Sequence, residues 1–173
     1  LALPVLLFPL FEETISTTPP TAVSDIEDHV VICAFSPRVR TLIDELQVMD
    51  VPYVVIEGER DEAVELVEED VRVVHGDPES SDALERANLG DARALVADVD
   101  DETNASIVLA AADFDDDIRR VTFVEDPELA AYHRYAGADD VFSPRQLIGE
   151  SLAKKVTTGV STEVGDAVEI GED

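Results

Sequence analysis

The segment His29-Val-Val-Ile-Cys33-Ala-Phe-Ser-Pro-Arg-Val-Arg40 joins a β-branched run to a helical pattern through a very short turn. A strand that feeds a helix so directly is the opening of a βαβ unit. In a dinucleotide fold this turn carries G-x-G-x-x-G, because the tight bend, the approach of backbone to pyrophosphate and the helix-sheet contact each need a missing side chain. Here Ala34, Ser36 and Val39 stand at those three positions, with Phe35 between the first two. All three glycines are replaced. Ala34 is a mild change, Ser36 narrows the space over the phosphates yet keeps a hydroxyl, and Val39 either crowds the helix against the strand or faces the ligand. Pro37 suits the first helical position but removes an N–H that would greet an anion. Arg38 and Arg40 stand at the same helix end, where a guanidinium fork suits phosphate; surface salt bridging is the other reading of both.

Working outward, short β-branched runs alternate with helical patterns, the signature of a parallel sheet. The runs span residues 29–33, 52–57, 71–75, 92–97, 118–124 and 140–143. Between them Val39, Leu42, Ile43, Leu46 and Met49 keep helical spacing, as do Ala63, Leu66 and Val67. These features predict an α/β, Rossmann-like, doubly wound sheet of six parallel strands, order 3-2-1-4-5-6, with helices on both faces. Helices are expected to begin at Pro78, Pro127 and Pro144, the last two capped by Asp126 and Ser143. The stretch Ala105 to Ala112 is apolar nearly all round, so one face should cover the sheet and another meet a second helix or a second subunit.

Further candidates lie where the strands end. Glu57 closes the second strand 23 residues beyond Ala34 and precedes Gly58, the usual place of the acid that holds a ribose diol. His75-Gly76-Asp77 ends the third strand; Gly76 permits a sharp exit, and Asp77 either lies near an adenine or caps the next helix. Asp98, the run Asp100-Asp101-Glu102 and Asn104 follow the fourth strand on the same edge. Acids there also cap a helix without any ligand.

Composition sets the outer bounds. The chain has 173 residues, enough for one domain with tails, and 40 acidic against 12 basic residues give a net charge of −28. A nucleic-acid partner is excluded by the want of a basic face, and 45% hydrophobic content excludes a disordered acidic chain. Such self-repulsion suits a salt-filled, halophilic cytoplasm, because the Debye length falls to about 3 Å at 1 M salt; an ordinary acidic cytosolic protein is the alternative. Cys33 is the only cysteine, and His29, His75 and His133 form no recognisable ligand cluster, so no metal site is expected. Asp115-Asp116-Asp117 lacks the spacing of a calcium loop.

Residues 1–28 read as an apolar N-terminal segment plus linker, 29–156 as the folded domain and 157–173 as a linker toward a further subdomain. Leu1 to Phe11 is apolar but shorter than the roughly 20 residues of a membrane-spanning helix. It reads as the end of a severed membrane helix or as an arm that packs on a neighbouring subunit.

The ordered blocks HVVIC, YVVIE, VVHGDPESSDALERANL, ARALVADVDDETN, EDPELAAYHRYAGADDVFSP and LIGESLAKKV make residues 29 to about 156 resemble the RCK or TrkA-N domain. On the fifth strand Phe123 stands where many relatives carry an arginine ahead of D-P-E. The resemblance implies the cytoplasmic nucleotide-binding module of potassium channels and potassium uptake systems. Such a module sits at the cytoplasmic face of the cell membrane, forms homodimers or larger rings, and binds NAD(H), ATP or ADP to bias a pore on the same chain or a separate subunit. It implies binding positions at Ala34, Phe35, Ser36, Arg38, Val39, Glu57, Gly58, Asp77 and Asp98, and no catalytic residue. A Rossmann scaffold that has lost its ligand is the first alternative. A nicotinamide-dependent oxidoreductase is the more distant one, since it needs a substrate domain and a proton-transferring residue near the nicotinamide.

Overall fold

The computed structural model describes residues 20–114 and 117–160. The element order is β1 (His29–Cys33), α1 (Pro37–Val48), β2 (Tyr53–Glu57), α2 (Arg60–Glu68), β3 (Val73–His75), α3 (Ser81–Arg86), β4 (Ala92–Ala97), α4 (Asp101–Ala112), β5 (Arg119–Phe123), α5 (Ala130–Tyr135), β6 (Asp140–Phe142) and α6 (Pro144–Val160). Short 3-10 turns at Leu89–Asp91 and Pro127–Leu129 precede β4 and α5. The strands form one parallel sheet of order β3-β2-β1-β4-β5-β6, as the alternation predicts.

The central strand shows why the sheet holds. In β1 all five residues are buried, and Ile32 sits level with Val55 of β2 and Val96 of β4. Alternate residues serve opposite faces. Val30 and Ile32 join Val39, Ile43 and Leu46 of α1 and Ala63 and Leu66 of α2. Val31 and Cys33 join Ala83 and Leu84 of α3 with Ile107, Val108 and Ala111 of α4. Each large aliphatic side chain so buried stabilises the fold by about 1.5–3 kcal/mol. Burial also pushes the Cys33 thiol far up, so it behaves as a small core hydrophobe.

Several boundaries differ from expectation for local reasons. Met49 lies beyond the last turn of α1 and is 67% exposed, so the apolar stripe stops at Leu46. Residues after Asp77 first make a turn, and α3 begins at Ser81 rather than Pro78. Asp126 caps the 3-10 turn at Pro127 instead of an α-helix, accepting from the Glu128 N–H at 3.0 Å. The last helix begins at Pro144, as expected, and runs through Val160.

Residues 20–28 are tied to the folded domain. The Pro20 carbonyl accepts from His75 N–H at 2.9 Å, beside edge strand β3, Val23 N–H donates to Arg86 O, and Ile26 is buried. The apolar Leu1–Phe11 segment, Asp115 and Asp116, and residues 161–173 lie outside the described residues. Among the described residues no helix is long and apolar enough to cross a membrane.

Candidate functional site

The chain reverses its winding between β1 and β4, the switch point where open α/β sheets hold ligands. The turn after β1 keeps one backbone feature of a dinucleotide loop. Ala34 has φ +66°, the left-handed region that the first glycine of the motif would occupy at no steric cost. Ser36 caps α1, its Oγ accepting from Val39 N–H at 3.1 Å, and Pro37 is the first helical residue. Val39 is 1% exposed and packs between α1 and the sheet, so it crowds the helix-strand contact and does not face a ligand.

The Ser36 hydroxyl donates to Asp98 Oδ2 at 2.8 Å. Arg38 reaches the same carboxylate as a fork, Nη2 to Oδ1 at 2.6 Å and Nε to Oδ2 at 3.2 Å, and its Nη1 donates to Glu125 Oε1 at 2.7 Å. The guanidinium carbon also stands 5.5 Å from the Phe123 ring centroid, within cation-π range. Hydrogen bonds to Asp98, then to Glu125, push the Arg38 pKa further up, so its charge is permanent. Asp98 is only 3% exposed, and these three donors satisfy it in a place where an unpaired carboxylate would be costly.

Glu57 is equally engaged. Its Oε2 accepts from Phe35 N–H at 2.9 Å and its Oε1 from Glu59 N–H at 2.8 Å, which ties the first turn to the exit of β2. The Gly58 carbonyl pairs with the His75 ring at 3.2 Å. Arg40 pairs with Glu69 at 2.7 Å and lies over the Phe35 ring at 4.7 Å. Salt bridging therefore accounts for both arginines. Asp77 accepts from Glu79 N–H at 3.0 Å and stabilises its own turn. Asn104 is buried; it accepts from Val99 N–H at 2.7 Å and donates to the Phe123 carbonyl at 3.0 Å, stitching β4 to β5. Gly76 needs no left-handed backbone, but an added Cβ would stand 2.7 Å from Arg86 Nη2, so it keeps room for that side chain.

A cavity of about 630 Å³ opens beside the turn, with Phe35, Arg40, Asp44, Glu57, Glu59 and Glu62 among its walls. Tested against this donor set, a dinucleotide's two halves fare differently. Hydroxyl groups of a ribose would meet carboxylate acceptors, although both Glu57 oxygens already hold backbone N–H groups. A pyrophosphate does not fit. Pro37 has no N–H, Val39 N–H serves Ser36, Phe35 N–H serves Glu57, and the phosphates would face the Asp98 and Glu125 carboxylates. Two like charges 4 Å apart cost about 4 kcal/mol at an effective dielectric of 20.

Glu125 and Phe123 are the functional neighbours that motif reading overlooks. Phe123 stands out only as a departure from a pattern, and Glu125 only as one acid among many. Their common signal is Arg38 itself, since an arginine at a crevice in so acidic a chain will be bonded by the acids across the switch point. Among the described residues no three His, Cys, Asp or Glu side chains are grouped to hold a metal ion.

The TrkA-N domain family matches residues 30–144. Potassium channel protein 1 of Methanocaldococcus jannaschii is 26% identical over 135 residues, covering 76% of this chain and 40% of that protein. The voltage-gated potassium channel Kch of Escherichia coli is 28% identical over 138 residues, covering 77% of this chain and 33% of that one. The match thus covers less than half the length of either relative. The solved GsuK channel bound to NAD superposes with a TM-score of 0.71 at 28% identity, over 79% of this chain and 25% of that one. With the strand order, the crevice and a match over most of the sheet in agreement, the chain belongs to the TrkA-N domain family.

Proposed function

We propose that this chain is the regulatory domain of a potassium channel or potassium uptake system, working at the cytoplasmic face of the cell membrane as a homodimer or larger ring. The observation that carries the reading is the family match over 30–144 together with the likeness to two potassium channel proteins. The domain acts without turnover: a shift in how copies pair changes the strain delivered to a pore. Surface chemistry supports the paired state. Leu109 on α4 is 62% exposed, and on α5, which packs against α4, Tyr132 is exposed and Tyr135 is 91% exposed. Helix α6 adds Leu147, Ile148, Leu152 and Val156, exposed at helical spacing. A second copy that covers this surface needs to bury roughly 800 Å² per partner to make a stable interface.

Sedimentation of the purified chain should give a dimer or larger species, and Leu109→Asp combined with Tyr135→Asp should lower the mass while circular dichroism stays the same. A monomer at every concentration overturns the pairing. Potassium flux through the full channel or transporter carrying this domain should change when the same two substitutions are made; unchanged flux overturns the regulatory role.

The NAD held by GsuK is the ligand class against which this crevice is to be tested, and here the chain's own side chains fill the place of its pyrophosphate. The assembly scaffold is the second reading, and the Arg38–Asp98 contact is the observation that favours it, because it leaves pairing as the function that needs no ligand.

A further inference from the structure

Asp98 is a carboxylate with almost no access to water, placed at the N-terminal end of α1 at the switch point of the sheet. It accepts from the Ser36 hydroxyl at 2.8 Å and from the Arg38 fork at 2.6 and 3.2 Å. Those are the donors a phosphate would use there, since a guanidinium fork recognises a carboxylate and a phosphate by the same parallel N–H bonds. The turn has therefore not lost its affinity for anions with its glycines. It has moved that affinity from backbone to side chains, and a side chain of its own chain consumes it. We propose that Asp98 is a built-in anion that occupies the pyrophosphate seat and blocks nucleotide diphosphates from the crevice.

Two neighbours make the block firm. Glu125 takes the remaining arm of Arg38 at 2.7 Å, and the Phe123 ring lies 5.5 Å from the guanidinium carbon, so Arg38 is held across the crevice from β1 to β5. Asn104 fixes the loop that carries Asp98 by accepting from Val99 N–H at 2.7 Å and donating to the Phe123 carbonyl at 3.0 Å. An incoming diphosphate would have to displace a tethered carboxylate whose effective concentration, set by the fold, far exceeds any free ligand's. Removing the carboxylate should then free Ser36 and Arg38 for an external anion. This inference takes only its ligand class from the proposed function, and it is read by calorimetry, whereas failure of the pairing is read by sedimentation.

The test is titration of the full chain with ADP, with NADH and with inorganic pyrophosphate in about 1 M KCl, where long-range repulsion is screened. The natural sequence should give no saturable heat for any of the three. Asp98→Ala should bind ADP and pyrophosphate with a Kd below about 1 mM, and adding Arg38→Met to that variant should abolish the gain. Asp98→Asn keeps the shape and one acceptor, so it reports on the same gain if the alanine variant fails to fold, with saturable ADP and pyrophosphate binding where the natural chain gives none. Saturable ADP binding by the natural chain overturns the block. Folded Asp98 variants that still ignore ADP and pyrophosphate overturn the idea that a phosphate seat lies underneath.

Discussion

Ala34 holds a left-handed backbone at φ +66° where glycine would rest unstrained. For an L-residue with a Cβ that conformation costs roughly 1–2 kcal/mol, part of which a glycine returns as unfolded-chain entropy. Ala34→Gly should therefore raise the unfolding free energy by about 0.5–1 kcal/mol, seen as an upward shift of the urea midpoint at constant slope. A lower midpoint would mean that the half-buried methyl group contributes more through packing than the backbone loses. The same residue marks the limit of motif reading. Sequence reasoning finds the turn, because strand and helix periodicities meet there, and it finds three missing glycines. It leaves open whether Val39 faces sheet or ligand, since that depends on the roll of α1, and it places Glu57 at a ribose while the folded chain gives both its oxygens to Phe35 and Glu59 N–H groups. Pattern and spacing locate a residue along the chain. Partners brought together across 60 positions, as Arg38 and Asp98 are, depend on the closed sheet.

At the scale of elements, α4 shows how the acidic character is put to structural use. Asp100 caps it, accepting from the Glu102 and Thr103 N–H groups at 3.1 and 3.0 Å and from the Thr103 hydroxyl at 2.7 Å. Hydrogen bonds from Thr103, backbone and then hydroxyl, hold the Asp100 carboxyl below the ordinary carboxylate range. Asp101 then accepts from Glu125 and Asp126 N–H groups at 2.8 and 3.1 Å, fastening the exit of β5 to the same helix end. Asp100→Ala should cost about 1 kcal/mol, the usual loss for an N-cap. Because the folded carboxyl is the stronger acid, its contribution is complete above the unfolded carboxylate's pKa of about 3.9 and fades as pH falls through the lower folded value. Asp100→Asn keeps the acceptor without that titration, so natural and variant stabilities should converge in acid and separate above about pH 4. Parallel curves down to the lowest pH would refute the cap as the source. Strand and helix positions were legible in the sequence at this scale, and helix ends were less so. Met49 belongs to the apolar period of α1 but falls past its last turn, and α3 starts at Ser81 because Asp77 folds a turn of its own first.

For the whole molecule, a net charge of −28 opposes compaction, and the ion pairs of the described residues answer only part of it. Exposed pairs contribute roughly 0–1 kcal/mol each and weaken with salt, whereas screening relieves repulsion among a far larger excess of carboxylates. Repulsion therefore dominates, and the melting temperature should climb between about 0.1 and 1 M KCl as the Debye length shrinks from about 10 to 3 Å. Acid acts on a different pair of groups. His29 and His133 are fully buried, and burial lowers both pKa values. His29 pairs with the Ala87 carbonyl at 3.0 Å and His133 with the Thr122 hydroxyl at 3.2 Å, while His29 Nδ1 has no hydrogen-bond partner among the described residues. A neutral ring suits such a site, and a second proton on the His29 ring would be buried without an acceptor. Since the unfolded chain takes up these protons near pH 6.5 and the folded chain only below it, stability is full above that value and falls as pH drops through it. Each histidine then costs about 1.4 kcal/mol per pH unit until its folded pKa is reached. Urea titrations at pH 7.5 and 5.5 in molar KCl isolate this term, because the screened carboxylates scarcely change protonation over that interval. The expected outcome is a lower midpoint at pH 5.5, with the loss reduced in His133→Gln. Equal midpoints at the two pH values would show that the rings are protonated to the same extent folded and unfolded.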